Sequence, residues 1–172
     1  AYIDEMLDSI LSQSYKNWEL LLIISKSKDN SLEICRDYAK KNSRIKVIEV
    51  DASSLGAARN VGVKAAHGEY IMFVDADDFL PDQFVIECFL NKAQKTDADI
   101  IVANYKRLWK KRLLAACSHE CFSTKNQQTE DFRFQGFFSV GTLSYVWGKL
   151  YRRSFIEQNH ICFADIAYAE DK

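Results

Sequence analysis

The chain is poor in the residues that break or staple structure. Among its 172 residues there are one proline, Pro81, and six glycines. A collagen-like repeat and a low-complexity disordered tail are both excluded by that composition. The five cysteines are an odd number, with no Cys-x-x-Cys pair and no regular spacing. A disulfide framework is therefore not expected, and a reducing, cytoplasmic setting is. Cys35 and Cys88 fall on apolar faces of expected helices and read as small core hydrophobes. No apolar run approaches the roughly 18 residues needed to span a bilayer, and Ala1-Tyr2-Ile3-Asp4-Glu5 does not resemble a signal peptide. Contact with a membrane would be peripheral, or made by parts outside this sequence. Excess charge is missing too. The net charge is -1, so no global field draws the protein to nucleic acid or anionic lipid. No internal repeat and no Gly/Ser linker divides the chain.

What is present is ordinary for a globular domain: 48% hydrophobic and 27% charged residues, in a chain long enough to bury a core. Tyr2, Ile3, Met6, Leu7, Ile10 and Leu11 recur at helical spacing. Trp18-Glu19-Leu20-Leu21-Leu22-Ile23-Ile24 reads as a buried strand. Asn30 and Glu33 resemble a capping box opening a helix to about Lys41. Ile45, Val47 and Val50 suit a strand. Ser54 can cap a helix over 55–67, stopped by Gly68. Tyr70-Ile71-Met72-Phe73-Val74 is the next buried strand. Pro81 suits the first turn of a helix with Phe84, Val85, Cys88 and Phe89 on one face, and Ile100-Ile101-Val102-Ala103 is a further strand. Strands alternate with helices to about Asn104, which predicts a three-layer α/β/α domain with a mostly parallel sheet and a Rossmann-like first half. We expect a single domain over 1–172, with a ligand-binding half over 1–104 and an appended half over 105–172 that completes a pocket.

Open α/β sheets bind ligands beyond the carboxyl ends of their strands. Asp75, Asp77 and Asp78 stand at such an end. Three carboxylates so close repel one another unless a cation or hydrogen-bond donors compensate. Oxygen ligands of this kind suit Mg²⁺ or Mn²⁺, and an ion there could bridge a diphosphate leaving group. The plainer alternative has Asp77 or Asp78 capping the helix after Pro81. One element earlier, Leu55-Gly56-Ala57-Ala58-Arg59-Asn60 opens a helix whose N-terminus and Arg59 would form an anion site. Ala57, Ala58 and Gly62 would let that helix approach the sheet. The alternative for Arg59 is a surface salt bridge. Lys106, Arg107, Lys110, Lys111 and Arg112 form a basic cluster, read as a solvated face or as a surface lying against anionic lipid.

Four blocks in order resemble the family 2 glycosyltransferases, which have the GT-A fold. They are Leu7-Asp8-Ser9-Ile10-Leu11-Ser12-Gln13-Ser14-Tyr15, Leu55-Gly56-Ala57-Ala58-Arg59-Asn60, Gly68-Glu69-Tyr70-Ile71-Met72-Phe73-Val74-Asp75-Ala76-Asp77-Asp78 and Trp147-Gly148-Lys149-Leu150-Tyr151-Arg152-Arg153. Glu170-Asp171 falls where that family places an acidic pair. The resemblance implies a donor that is a nucleotide-diphosphate sugar, a UDP-sugar first among them, and an acceptor that is a saccharide or lipid-linked. It implies that Asp75 and Asp77 form a D-x-D motif, Asp75 near the donor ribose and Asp77 holding Mn²⁺ or Mg²⁺. Arg59 and Asn60 would line the nucleotide pocket. Asp171 would be the base of an inverting transfer.

Two departures stand out. The family usually carries Asp-Asp-Gly-Ser after its second strand, where an Asp contacts the base. Here the register gives Ile24-Ser25-Lys26-Ser27. Ser25 could still accept a hydrogen bond, and Lys26 could meet a phosphate, or the site is degenerate. The family also begins with a strand that lies inside the sheet, whereas this chain starts at the following helix. That would leave a gap with unpaired backbone groups, so a longer polypeptide or another segment filling the slot is expected. The competing readings are a non-catalytic module that binds a glycan or a partner enzyme, and a nucleotidyltransferase. The latter resembles a Gly-rich loop after the first strand, which the sequence does not show. No nucleic-acid partner is expected.

Overall fold

The computed structural model describes residues 2–25, 29–109, 112–117 and 145–165. The first body of the fold is a parallel strand pair covered by helices. Helix α1 (Tyr2–Leu11) buries Met6, Leu7 and Ile10, as its apolar spacing predicts. Strand β1 (Leu20–Ser25) pairs in parallel with β2 (Ile45–Val50), from Leu20 against Ile45 to Ser25 against Val50. Helix α2 (Ser31–Lys41) makes the crossover and contributes Cys35, fully buried among Met6, Leu7, Ile10, Leu22 and Ile45. The expected capping box does not form. Asn30 makes no side-chain cap bond, and the first free N–H, on Ser31, goes to Asp29 Oδ1 instead.

Helix α3 (Leu55–Ala65) begins where Ser54 predicts, with the Ser54 hydroxyl accepting from the Ala57 N–H at 3.0 Å. It ends before His67, because Ala66 turns extended and the His67 N–H is taken by Glu19 Oε1. Gly62 faces β1 so closely that a Cβ there would stand 3.3 Å from Ile23 Cγ1. Gly62 thus lets α3 sit close on β1, as the sequence suggests for this position.

The second body departs from the expected mostly parallel sheet. Strand β3 (Tyr70–Met72) and β4 (Ile100–Val102) are each antiparallel to β7 (Lys149–Arg152), in the order β3-β7-β4. The first two strands therefore run parallel to each other with a reversed strand between them. That strand comes from the second half of the chain, so the halves at 1–104 and 105–172 share one sheet. Among the described residues no ladder joins this sheet to β1-β2. Strand β3 stops at Met72 instead of Val74 because β7 begins only at Lys149, just after the bend at Gly148, whose φ is +67°. The basic cluster falls on a hairpin of β5 (Tyr105–Trp109) and β6 (Arg112–Cys117), with Lys106, Arg107 and Arg112 exposed. Lys110 and Lys111 lie outside the described residues.

Helix α4 (Val85–Thr96) starts later than Pro81 suggests, and for a visible reason. A helix begun there would spend the Asp82 carbonyl on Ile86 N–H and the Gln83 carbonyl on Glu87 N–H. Instead Gln13 Nε2 donates to the Asp82 carbonyl (2.6 Å), Gln13 Oε1 accepts from Ile86 N–H (3.1 Å), and Ser14 N–H takes the Gln83 carbonyl (2.7 Å). The inward stripe of α4 then runs from the half-buried Val85 to the buried Phe89 and Ala93 beside Leu150. Cys88 and Phe84 turn outward and are exposed, which corrects the expectation of a core Cys88. Helix α5 (Arg153–Gln158) closes the described fold, with Ile156 buried.

Cys35, Cys88 and Cys162 are all free thiols. Burial, then the nearby Asp4, raises the Cys35 thiol above its ordinary pKa. Iodoacetamide should therefore label Cys88 and Cys162 in the native protein and spare Cys35 until unfolding. Peptide mass mapping checks this, and native labelling of Cys35 would contradict the packing. No helix among the described residues is long and apolar enough to cross a membrane.

Candidate active site

Helix α3 follows β2, lies against β1 at Gly62 and reaches the chain beyond β3 through Arg59. Past β3 the chain leaves its ladder. Phe73 packs edge-on against Tyr151 (5.8 Å between centroids) and Phe163 (5.3 Å), and Val74 packs into the core around α1. Asp75 follows, and the Asp78 N–H to Asp75 carbonyl bond (3.1 Å) closes a tight turn over 75–78. The Asp77 and Asp78 side chains are exposed. Neither caps α4, whose N-cap is Phe84 with its N–H on Asp82 Oδ1. The helix-cap alternative for these two carboxylates is thus removed.

Arg59 is not on the surface. Only 7% of its side chain is exposed, and its Nη2 lies 3.2 Å from Asp75 Oδ1, itself 33% exposed. Its guanidinium sits 5.7 Å above the Phe163 ring, and its Nη1 is buried with no hydrogen-bond partner among the described residues. A buried donor left unmatched costs free energy comparable to a lost hydrogen bond, and here it lies beside the acidic turn.

Asn60 has a different employment. Its Nδ2 donates to the Phe163 carbonyl and its Oδ1 accepts from the Phe163 N–H, both at 2.9 Å. The amide so clamps the 161–165 segment across α3. Ser53 and Ser54 hydroxyls donate to Asp165 at 2.7 Å, and these bonds hold the Asp165 carboxyl below its ordinary pKa. Ser54 is therefore both the cap of α3 and an anchor for this segment. Ser25 ends β1, exposed. Lys26 and Asp171 lie outside the described residues.

Desolvation, then the charges of Asp75 and Asp77, push the Asp78 carboxyl up to about 6, although its side chain reaches solvent at the rim of the turn. Tyr151, on β7, is pushed up to about 12 by burial, against the opposing pull of Arg59. It stays a neutral phenol near neutral pH, with its hydroxyl on the Val146 carbonyl (3.2 Å). Reasoning from sequence passed over Tyr151, Phe163 and Asp165. Tyr151 stood in a recognised block without a role, while Phe163 and Asp165 carry no local signal.

The structure thus brings Arg59 and Asp75 into contact and links Asn60 to them through Phe163. Among the described residues no group of three His, Cys, Asp or Glu side chains converges as a ready-made metal cage. A turn with two usable carboxylates still suits Mg²⁺ or Mn²⁺, which commonly take one or two protein carboxylates and complete their shell with substrate phosphates and water.

Known proteins resemble this chain in sequence and in fold. The model of the family described as Glycosyl transferase family 2 matches residues 1–159. The uncharacterized glycosyltransferase EpsJ of Bacillus subtilis (strain 168) is 35% identical over 174 residues, covering 99% of this chain and 50% of that protein. The chain therefore spans about half the length of such curated relatives. Among solved structures, S. aureus TarS in complex with UDP has a TM-score of 0.78 at 24% identity, over 99% of this chain and 48% of that one. The mannosyltransferase PcManGT from Pyrobaculum calidifontis, in complex with GDP-Man and Mn²⁺, has a TM-score of 0.68 at 18% identity, over 99% of this chain and 46% of that one. These likenesses establish the α/β GT-A fold.

Proposed function

The chain belongs to glycosyl transferase family 2, and we propose that it carries the donor side of an enzyme that moves a sugar from a nucleotide diphosphate to an acceptor hydroxyl. The donor is a UDP-sugar, the acceptor a saccharide or a lipid-linked glycan, and the transfer inverts the anomeric carbon. Arg59 carries this reading. A buried guanidinium, ion-paired on one side and without a partner at Nη1 among the described residues, suits a further anion near the N-terminal end of a helix. The nucleotide diphosphates in the two structural neighbours support the choice of ligand.

In this reading Asp75 orients Arg59 and faces the donor ribose, and Asp77 together with Asp75 holds Mn²⁺ or Mg²⁺. When bound, such an ion would supply the positive charge that stabilises a diphosphate leaving group. Ser25, in place of the usual carboxylate, accepts a hydrogen bond from the base. Asn60 contributes by holding Phe163 beneath the guanidinium. Asp171 takes the acceptor proton. The exposed Lys106 and Arg107 face the membrane surface from the cytoplasmic side when the acceptor is lipid-linked. A glycan- or partner-binding module without catalysis is the competing reading, favoured only by the Ser25 replacement.

Arg59→Ala should weaken UDP binding by about tenfold or more, as loss of a charge-assisted hydrogen bond of ~1.5–3 kcal/mol implies. Because Arg59 is buried, stability should also fall, by roughly 1–3 kcal/mol, as Asp75 loses its partner. Calorimetric titration with UDP, with and without Mn²⁺, reads the first effect on folded protein. Equal UDP affinity in the variant would reject the donor-site assignment, and no nucleotide binding by the wild type would favour the non-catalytic module.

A further inference from the structure

Gln13 is the most completely buried polar side chain described, with 0% exposure. An amide in that position is tolerated only when its donors and acceptor are matched. Its Nε2 donates to the Asp82 carbonyl (2.6 Å) and the Ser9 carbonyl (3.0 Å), and its Oε1 accepts from Ile86 N–H (3.1 Å). The amide replaces the direct Asp82–Ile86 bond that a helix would make. One turn earlier, Ser9 Oγ accepts from Leu80 N–H (3.1 Å) and donates to the Met6 carbonyl (2.7 Å). The end of α1 therefore grips the chain at Leu80, Asp82, Gln83 and Ile86, immediately after the 75–78 turn. On the entry side Val74 packs into the same core around α1 as Leu80 does.

We infer that Gln13 and Ser9 are positioning residues for the carboxylates of the 75–78 turn. This rests on the reading that Asp75 and Asp77 take a divalent ion. The turn is closed by one backbone bond (3.1 Å), and like charges on so short a segment push it open. A site that offers an ion only one or two carboxylates depends on what fixes them, and removing hydrogen bonds behind metal ligands typically costs about 10- to 100-fold in affinity. The Gln13 amide and the Ser9 hydroxyl hold the exit of the turn against that repulsion, so the carboxylates are spaced before the ion arrives.

The test is Mn²⁺ binding to the protein, read as loss of the free-ion EPR signal, for wild type, Ser9→Ala, Gln13→Met and Ser12→Ala. The Ser12 hydroxyl bonds to the Ser9 carbonyl (2.8 Å) at the same helix end without reaching the 80–86 segment, so it controls for general damage to α1. Circular dichroism confirms folding of each variant. Ser9→Ala and Gln13→Met should bind Mn²⁺ about tenfold more weakly, and Ser12→Ala as wild type does. Should Gln13→Met fail to fold, Ser9→Ala decides alone. Unchanged Mn²⁺ affinity in folded Ser9→Ala, or equal weakening by Ser12→Ala, overturns this inference and leaves the metal reading intact. No Mn²⁺ binding by the wild type overturns both.

Discussion

Asp77→Asn should abolish Mn²⁺-dependent UDP binding while leaving the protein folded. The Asp77 side chain is exposed and has no hydrogen bond or ion pair among the described residues. Its replacement by the isosteric amide removes no packing and relieves repulsion toward Asp75 and Asp78, so stability should change by no more than about 0.5 kcal/mol. The effect on a hard cation is quite different. Mg²⁺ and Mn²⁺ are held by anionic oxygen, and a site with only two carboxylates loses half of its protein charge. Asp75 cannot compensate, because one of its oxygens is already engaged by Arg59 at 3.2 Å. The Mn²⁺-dependent part of UDP affinity should fall by at least about 100-fold, beyond what loss of outer hydrogen bonds costs a metal site. The metal-independent part, which runs through Arg59, should persist. Calorimetry of UDP binding to wild type and Asp77→Asn, with and without Mn²⁺, separates the two. A variant that keeps the full Mn²⁺ enhancement would remove Asp77 from the ion site.

The pattern of legibility follows from which forces are local. The helix stripe of α1 and the cap at Ser54 are written within a few residues, and each lies where its local chemistry puts it, whereas the apolar run to Val74 overstates β3, which ends at Met72. The strand order was not legible. Strand β7 inserts antiparallel between β3 and β4 from far along the chain, and no periodicity in residues 70–104 announces a partner that arrives from residue 149. The start of α4 misled for the same reason. Pro81 is a sound local signal, yet the carbonyls that would propagate the helix are claimed by Gln13 and Ser14, remote in sequence. Cys88 followed that error outward.

The site divides in the same way. Arg59 and Asp75 were both legible as candidates, because a charged group at a helix start and another past a strand end are local features. Their contact was not, nor was the burial that rules out the alternative of a surface salt bridge for Arg59. Asn60 shows the limit most plainly. The family resemblance implies a place for it in the nucleotide pocket, while its amide bonds to the Phe163 backbone.

Asp171→Asn should cut sugar transfer by about 10²- to 10⁴-fold in the intact enzyme with donor affinity nearly unchanged. An acceptor hydroxyl is a poor nucleophile at neutral pH, and a positioned base contributes a factor of that order. Asp75 faces Arg59, and in the proposed site Asp77 is committed to the ion, so neither is free to take a proton. Asp171 lies outside the described residues, but the chain that leads to it is fastened. Asn60 pins Phe163 by two backbone hydrogen bonds, and Ser53 and Ser54 hold Asp165. These anchors lie at the start of the helix that also carries Arg59, so the chain as far as Asp165 is tied to the element that carries the proposed donor site. Asparagine keeps the shape of the side chain and removes its basicity, so a fall confined to kcat, with unchanged UDP affinity, is the signature of a lost transition-state role. Asn60→Ala should give a smaller fall of the same kind by loosening the anchor. The comparison is made at saturating donor and Mn²⁺, with each variant's UDP affinity measured in parallel. Undiminished transfer by Asp171→Asn would assign the proton to another group, and a parallel loss of UDP affinity would place Asp171 in donor binding instead.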